Sequence, residues 1–302
     1  MLDYPFTPEQ TALLNCARTT WERRRIAKIR GLSFGEETIT ETILMDLAEA
    51  FPGHLEIVQF TKNQEGKRGA DWAWAFRDAS GTQNLPMLVQ AKLLDKQDLE
   101  YHEIARFVGK KLPPVRQIDR LIATATKYGW PAIYAFYNHL DDPRRIPNNC
   151  GTVPNAGLVM PESWGISVAL ADQVRDALDP RKDQLFDTHS RHSMPLHCLL
   201  CSRARGERPF EGGPLQILQS LRRLGRLRGG GEIDADAALP ALRLRKALPD
   251  LFKRAVAAAS ADEEKPEGRR VEALARSYPR IAGVVVLQDA EGEPAPPKYS
   301  RA

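Results

Sequence analysis

The sequence predicts an α/β protein with a mixed sheet, on the strength of two observations. Up to residue 137 the apolar periodicity switches between helical and strand spacing in the order helix, three strands, helix, strand. Polar, glycine-containing connections separate the strands, as they do between antiparallel neighbours. This order indicates a sheet with helices packed against it. Beyond residue 141 the pattern weakens, and we expect a mainly helical C-terminal extension.

The composition is that of a globular protein. The 302 residues are 42% hydrophobic and 27% charged, enough for one large domain or two modest ones. No apolar run approaches the roughly 20 residues that span a bilayer, so no membrane partner is expected. Four cysteines without a secretion-signal pattern predict reduced thiols and a cytoplasmic location. The formal net charge of +4 permits a nucleic-acid partner without requiring one.

Residues 1–32 are predicted to form a basic N-terminal helix. The six cationic side chains concentrated in it around Trp21 are Arg18, Arg23, Arg24, Arg25, Lys28 and Arg30. They form either a solvated helix face, which is the preferred interpretation, or an arm that contacts nucleic-acid phosphates.

Residues 33–140 carry the predicted core. Its first helix runs from Gly35 to Phe51, because Ile39, Ile43 and Leu47 recur at helical spacing and Pro52-Gly53 follows. The remaining elements are strands at Leu55–Thr61, Asp71–Phe76 and Leu85–Leu94, a helix at Gln117–Tyr128 and a strand at Pro131–Tyr137.

Residues 141–288 are predicted to form the mainly helical extension, and residues 289–302 a disordered tail. The extension opens with an irregular connection rich in proline, asparagine and glycine. Its predicted helices lie at Trp164–Leu178, around Leu196–Cys201, at Leu215–Arg228 and at Leu239–Ser260, and a late strand is predicted at Ile281–Leu287. Pro240 and Pro249 interrupt the pattern of the last of these helices.

Three polar residues stand on the predicted strands. Asp71 opens the second strand, and Gln90 and Lys92 lie on the third. Because side chains alternate along a strand, Gln90 and Lys92 point the same way and Ala91 the opposite way. Polar groups that face inward are costly unless they pair or bind a ligand. The set therefore suggests a metal-dependent hydrolytic site.

A glutamate in the first turn of the first helix completes the hypothetical metal site. Glu36 falls on the apolar side of that helix and is preferred over Glu37, although the helix dipole alone favours an acid there. Glu36, Asp71 and the Gln90 carbonyl are hard oxygen ligands suited to Mg²⁺, with Mn²⁺ as an alternative. Lys92 is expected to orient or help deprotonate a metal-bound water. The competing interpretation of Lys92 is a side chain that extends to solvent.

This placement of Asp71 and Gln90-Ala91-Lys92 resembles the PD-(D/E)XK restriction-endonuclease-like nucleases, in the Mrr-type variant in which glutamine replaces the second acid. Asp71 matches the motif aspartate, Gln90 the substituted acid and Lys92 the motif lysine, and Glu36 matches the first-helix glutamate. Ala70 stands where the motif has proline. Some members with altered motifs only bind nucleic acid.

The resemblance covers about residues 33–138 and implies an αβββαβ core with the site at its middle strands. The same segments resemble an uncharacterised bacterial domain family of this layout. The implied function is a metal-dependent nuclease that hydrolyses phosphodiester bonds in DNA, with RNA as an open alternative, in bacterial defence against phage or foreign DNA. A homodimer is implied by analogy, and a protein partner or activator could dock on residues 150–302. The alternative function is an inactive module that binds nucleic acid or docks a partner.

Two polar groups outside the motif are further candidates. Gln117 and Asp119, on the second core helix, either line the cleft or are surface polar residues. Arg222, Arg223 and Arg226, on the basic helix of the extension, either track a phosphate backbone or form a solvated face.

A zinc site is not expected, although histidines and cysteines crowd into thirteen positions. Cys198 and Cys201 lie in an apolar segment, where cysteine is often a small buried hydrophobe, and the chain lacks a second separated ligand pair. The full set is His189, His192, His197, Cys198 and Cys201. The aromatic residues of the fourth strand, Tyr134, Phe136 and Tyr137, are predicted to belong to the core.

Overall fold

The computed structural model describes residues 6–60, 70–95, 97–108, 114–147, 160–179, 183–201, 213–226, 241–264 and 269–289. Within these ranges a mixed seven-stranded sheet carries hydrophobic clusters and helices on both faces. The predicted α/β class is confirmed. No helix in the described ranges is both long enough and apolar enough to cross a bilayer.

The helices are named in chain order. They are α1 (Pro8–Arg30), α2 (Glu36–Ala50), α3 (Gln117–Tyr128), α4 (Ala171–Leu178), α5 (Phe186–Ser190), α6 (Pro214–Arg226), α7 (Asp250–Glu264) and α8 (Arg269–Ser277). Short 3₁₀ turns include Pro161–Gly165 and Leu196–Leu200.

The main sheet has the strand order β1-β9-β2-β3-β6-β7-β8. Its strands are β1 (Leu55–Gln59), β2 (Trp72–Arg77), β3 (Asn84–Leu93), β6 (Ala132–Tyr137), β7 (Ile166–Leu170), β8 (Ser193–Pro195) and β9 (Gly283–Gln288). A separate hairpin joins β4 (Phe107–Val108) to β5 (Val115–Arg116). All the helices and strands predicted for the core are present, with ends shifted by at most two residues.

Strand β9 lies between β1 and β2, so the three consecutive core strands are not all neighbours. It runs antiparallel to β1 and parallel to β2. Its run Val284-Val285-Val286 is buried on both faces of the sheet, as is typical of a central strand. A strand from the end of the chain is thus part of the sheet that carries the predicted site.

The sheet does not divide at the predicted boundary near residue 140. Strand β7 pairs with β6, and β8 extends the same edge. The segment predicted as one helix, Trp164–Leu178, consists of the end of a 3₁₀ turn, β7 and α4. That prediction was wrong because a short apolar run fits a buried strand as well as a helix, and all five residues of β7 are buried.

Two other predictions of the extension need correction. The segment Leu196–Cys201 forms a 3₁₀ turn, and the helix predicted from Leu239 begins only at Asp250, immediately after Pro249. The predicted tail, 289–302, lies outside the described residues except for its first residue.

Each face of the sheet is covered by its own set of helices. One cluster contains Ile118 of α3, Val174 of α4 and Phe252 of α7. The opposite cluster contains Ile39 of α2 and Leu221 of α6. Helix α1 contributes to both clusters and packs on the 3₁₀ turns. This arrangement places the start of α2 and the start of α3 beside the middle strands.

Candidate functional site

The candidate site lies where β3 continues past the beginning of β2. The last pair between these strands is Trp72 opposite Val89, whereas β3 runs on to Leu93 beside β6. The side chain of Asp71 takes the place of the missing strand partner, because its Oδ2 accepts a hydrogen bond from the main-chain N–H of Ala91 at 2.8 Å. This contact fixes the carboxylate at the end of β2.

Gln90 connects this carboxylate to helix α3. Its Nε2 donates to Asp71 Oδ2 at 2.5 Å, and its Oε1 accepts from Gln117 Nε2 at 3.1 Å. Gln90 is 1% exposed, and its amide nitrogen and amide oxygen both have hydrogen-bond partners, as is usual for a buried polar group. Gln90 is thus paired within the protein, and Gln117 reaches the site.

Lys92 lies two positions after Gln90, on the same face of β3, and is 4% exposed. The interpretation of Lys92 as a side chain extended to solvent is therefore wrong. A buried ammonium needs anionic or polar neighbours to offset its loss of hydration. Glu36 is such a neighbour, since the charge of Lys92 acts on its pKa.

Glu36, at the first position of α2, has an unusual acidity. Burial raises its pKa to about 7, the charge of Lys92 offsets part of that rise, and the charges of Asp71, Glu103 and Glu37 add to it. Glu36 is half-buried whereas Glu37 is exposed, which agrees with the preference for Glu36. The site thus holds two interacting carboxyl groups and one cation, an excess of negative charge that a bound cation would offset.

An open cleft of about 100 Å³ leads to the two carboxyl groups. Acidic side chains line one side of it, and β1 and β2 form the other. Its lining residues include Glu36, Glu37, Glu41, Gln59, Asp71 and Trp72. The carboxylates of Glu36 and Asp71 are therefore reachable from solvent.

Tyr134 is a site residue that the sequence analysis assigned to the core alone. It lies opposite Gln90 on the neighbouring strand and is fully buried. Its hydroxyl has no hydrogen-bond partner among the described protein groups. Burial raises its pKa, and the charges of Asp71, Asp119 and Glu36 add to the rise, so the hydroxyl lies near the acids. The one feature that could have indicated a role at the site is that Tyr134 lies directly opposite the buried Gln90 on the neighbouring strand.

Asp119 is engaged by the residue that precedes its helix. Arg116, immediately before α3, contacts both carboxylate oxygens of Asp119, at 2.7 and 3.0 Å, and also pairs at 2.5 Å with Asp179, immediately after α4. These contacts tie the start of α3 to α4. Asp119 acts on the site through the effect of its charge on the pKa of Tyr134. Gln117 is the residue of α3 that contacts the site, through Gln90.

The basic residues of α6 are not brought to the site. Arg222 donates to the main-chain oxygen of Leu242 at 3.2 Å, and Arg223 to that of Cys201 at 2.8 Å. These contacts indicate a structural role for both guanidinium groups. The side chain of Arg226 lies outside the described part of the chain. Contact of this helix with nucleic acid stays a prediction.

The cations of α1 are used in different ways. Arg24 is 1% exposed and donates to the main-chain oxygen of Leu94, so it is not part of a solvated face. Arg25 and Lys28 pair with surface acids. The exposed cations on this helix are Arg18, Arg23, Arg25 and Arg30.

The histidine and cysteine residues separate into two groups. His189 contacts His192 at 3.2 Å between ring nitrogens. The ligand atoms of His197, Cys198 and Cys201 lie within 4.8 Å of one another. Cys150 lies outside the described residues.

Comparisons with known proteins assign the chain to a family. No curated protein matches the sequence. One family model matches residues 9–293, which include every element of the sheet and of the candidate site. The chain therefore belongs to DUF6615, a family of unknown function.

Proposed function

We propose that this protein is a divalent-metal-dependent nuclease that hydrolyses phosphodiester bonds in DNA. The observation that carries the proposal is that Glu36 and Asp71 line one open cleft, while the charge of the buried Lys92 acts on Glu36. The order α2, β1, β2, β3, α3, β6 supports a restriction-endonuclease-like core, with β9 inserted between its first two strands.

The donor set fits a hard cation. Glu36 and Asp71 supply carboxylate oxygens to the same cleft, and Mg²⁺ needs only one or two protein carboxylates because it keeps several waters. Mn²⁺ accepts the same donors. The Gln90 carbonyl fits less well as a ligand, because it already accepts a hydrogen bond from Gln117. Gln90 is better suited to orienting Asp71, whose Oδ2 accepts its amide N–H.

In the proposed hydrolysis the metal ion, Lys92 and the two carboxylates have different roles. A bound Mg²⁺ supplies Lewis-acid charge at the scissile phosphate. The ammonium of Lys92 orients the attacking water and stabilises the negative charge that develops on the phosphate in the transition state. Glu36 and Asp71 would hold the cation, and Asp71 is itself held by hydrogen bonds from Ala91 and Gln90.

The second candidate function is a nucleic-acid-binding or partner-docking module that does not cleave. The observation that favours this function is the glutamine at position 90. An acid at this position would strengthen metal binding, but the amide of Gln90 is hydrogen-bonded to protein groups through both its nitrogen and its oxygen. The defence role, a homodimer and an activator docked on residues 150–302 are proposals that rest on the resemblance.

A plasmid-cleavage assay tests the proposal. The wild-type chain with Mg²⁺ or Mn²⁺ is compared with Asp71→Asn, which keeps an oxygen for the Ala91 N–H, and with Glu37→Gln, which changes an exposed neighbouring acid. We expect nicking or linearisation by the wild type and Glu37→Gln, and a loss on the order of 100-fold or more in Asp71→Asn. Equal cleavage by Asp71→Asn would refute the assignment of the site.

A further inference from the structure

A second group of ligand-type side chains lies on the opposite side of the sheet from Gln90, in the turn that follows β8. His197, Cys198 and Cys201 occupy and follow the 3₁₀ turn Leu196–Leu200. The Nε2 atom of His197 is 3.7 Å from Cys198 Sγ, and the ligand atoms of all three residues lie within 4.8 Å of one another.

These separations fit a tetrahedral zinc centre. Zinc binds thiolate sulfur at about 2.3 Å and imidazole nitrogen at about 2.0–2.1 Å, which places neighbouring ligand atoms roughly 3.5–3.8 Å apart. The His197–Cys198 separation of 3.7 Å falls within that range. The Sγ atom of Cys201 lies within 4.8 Å of both of the other ligand atoms.

Charge balance also favours zinc at this position. His197, Cys198 and Cys201 are 0%, 3% and 2% exposed. A net charge would be costly at such a site, but a divalent cation with two thiolates and one neutral imidazole carries none. Binding would release the two thiol protons to solvent, and no oxidant or reductant is needed.

We propose that His197, Cys198 and Cys201 bind a zinc ion with a structural role. A structural zinc site is closed by a fourth protein donor, which is not among the described His, Cys, Asp and Glu side chains of this cluster. This proposal reverses the expectation from the sequence, which sought a second, separated ligand pair. The structure instead offers a histidine directly beside the Cys-x-x-Cys pair.

The surroundings of Cys201 support a structural role. Gln10 of α1 donates its Nε2 to Cys201 Sγ at 3.6 Å and to the main-chain oxygen of Leu200 at 2.8 Å. An N–H group directed at the sulfur stabilises a thiolate. The main-chain oxygen of Cys201 accepts from Gln216 and Arg223 of α6. An ion held here would join α1, the turn and α6.

The competing explanation is a pair of buried thiols. In that case Cys201 Sγ donates to the main-chain oxygen of His197, at 3.6 Å, and Cys198 packs as a small apolar side chain. The two explanations differ in metal content and in the ionisation of the thiols, both of which can be measured on the full chain.

Metal analysis of the full-length protein, purified without chelators from zinc-supplemented medium, tests the proposal. We expect about one zinc per chain in the wild type and a loss of most of it in Cys198→Ser and Cys201→Ser. Cys16→Ser is the matched control, since Cys16 is 2% exposed in the same hydrophobic cluster but outside the ligand group, and it should keep the zinc.

Cobalt substitution of the wild-type protein keeps the test decisive if a variant fails to fold. Co²⁺ bound by thiolates gives a near-ultraviolet charge-transfer absorption, which we expect on titration of the metal-free chain. A wild type without zinc and without that absorption would overturn the proposal, as would zinc retained in folded Cys198→Ser and Cys201→Ser alike.

Discussion

Replacement of Glu36 by glutamine is expected to stabilise the protein at pH 8, although it removes a proposed metal ligand. Burial, with the charge of Asp71 as a smaller contribution, raises the pKa of Glu36 from 4.5 to about 7. The folded state therefore binds this proton more tightly than the unfolded chain does. Stability falls as the pH rises from about 4.5 to about 7, because the half-buried carboxyl must ionise in an acidic surrounding.

The expected size follows from the shift in pKa. One unit corresponds to 1.36 kcal/mol, so the rise to about 7 corresponds to about 3 kcal/mol between pH 4 and pH 8. Glutamine mimics the protonated side chain, so Glu36→Gln should be more stable than the wild type by up to about 3 kcal/mol at pH 8 and nearly equal to it at pH 4.

Urea unfolding of both proteins at pH 4, 5, 6, 7 and 8, without divalent metal, measures this difference directly. Subtracting the two curves removes every other group that titrates in the same range. Glu56→Gln is the control, because Glu56 is exposed and its charge is not among those that act on Glu36, so this variant should follow the wild type at every pH. A difference between Glu36→Gln and the wild type that does not change with pH would refute the placement of Glu36 in a buried, acidic surrounding.

Three further predictions concern the site and its frame. Mg²⁺ should raise the Tm of the wild type at pH 8 but not that of Asp71→Asn, and an equal rise in both would argue against Asp71 as a ligand. Tyr134→Phe should leave the unfolding free energy unchanged or raise it by about 1 kcal/mol, because its hydroxyl has no partner to lose among the described protein groups; a loss above about 1 kcal/mol in urea unfolding would contradict this. Gly165→Ala should cost about 2 kcal/mol or more, since its Cβ would lie 1.9 Å from the main-chain oxygen of Ala17, whereas Gly35→Ala, with open space around it, serves as the neutral control.

The sequence predicts those features that depend on short-range periodicity. The apolar stripe of α2 and the alternation in β3 placed Glu36 and Lys92 correctly on their elements. The alternation also put Gln90 and Ala91 on opposite faces of the sheet. The structure agrees, because Gln90 contacts Gln117 of α3 whereas Ala91 belongs to the hydrophobic cluster on the other face.

The features it missed depend on pairing over long distances in the chain. No local pattern states that Val284–286 pair with Ala73 and Ile57, some two hundred residues earlier in the chain. The insertion of β9 and the continuation of the sheet past residue 140 both follow from such pairing. The hydroxyl of Tyr134 was missed for a related reason, because a buried tyrosine and a buried phenylalanine give the same apolar pattern.

Cleavage and binding measured on one preparation distinguish a nuclease from a module that only binds DNA. DNA cleavage in Mg²⁺ or Mn²⁺ and DNA binding by fluorescence anisotropy are compared for the wild type and Lys92→Ala. We expect the wild type to cleave, and Lys92→Ala to bind within about threefold of the wild type but to cleave on the order of 100-fold more slowly. A wild type that binds DNA but does not cleave it with either metal, or a Lys92→Ala variant that cleaves as fast as the wild type, would refute the proposed nuclease.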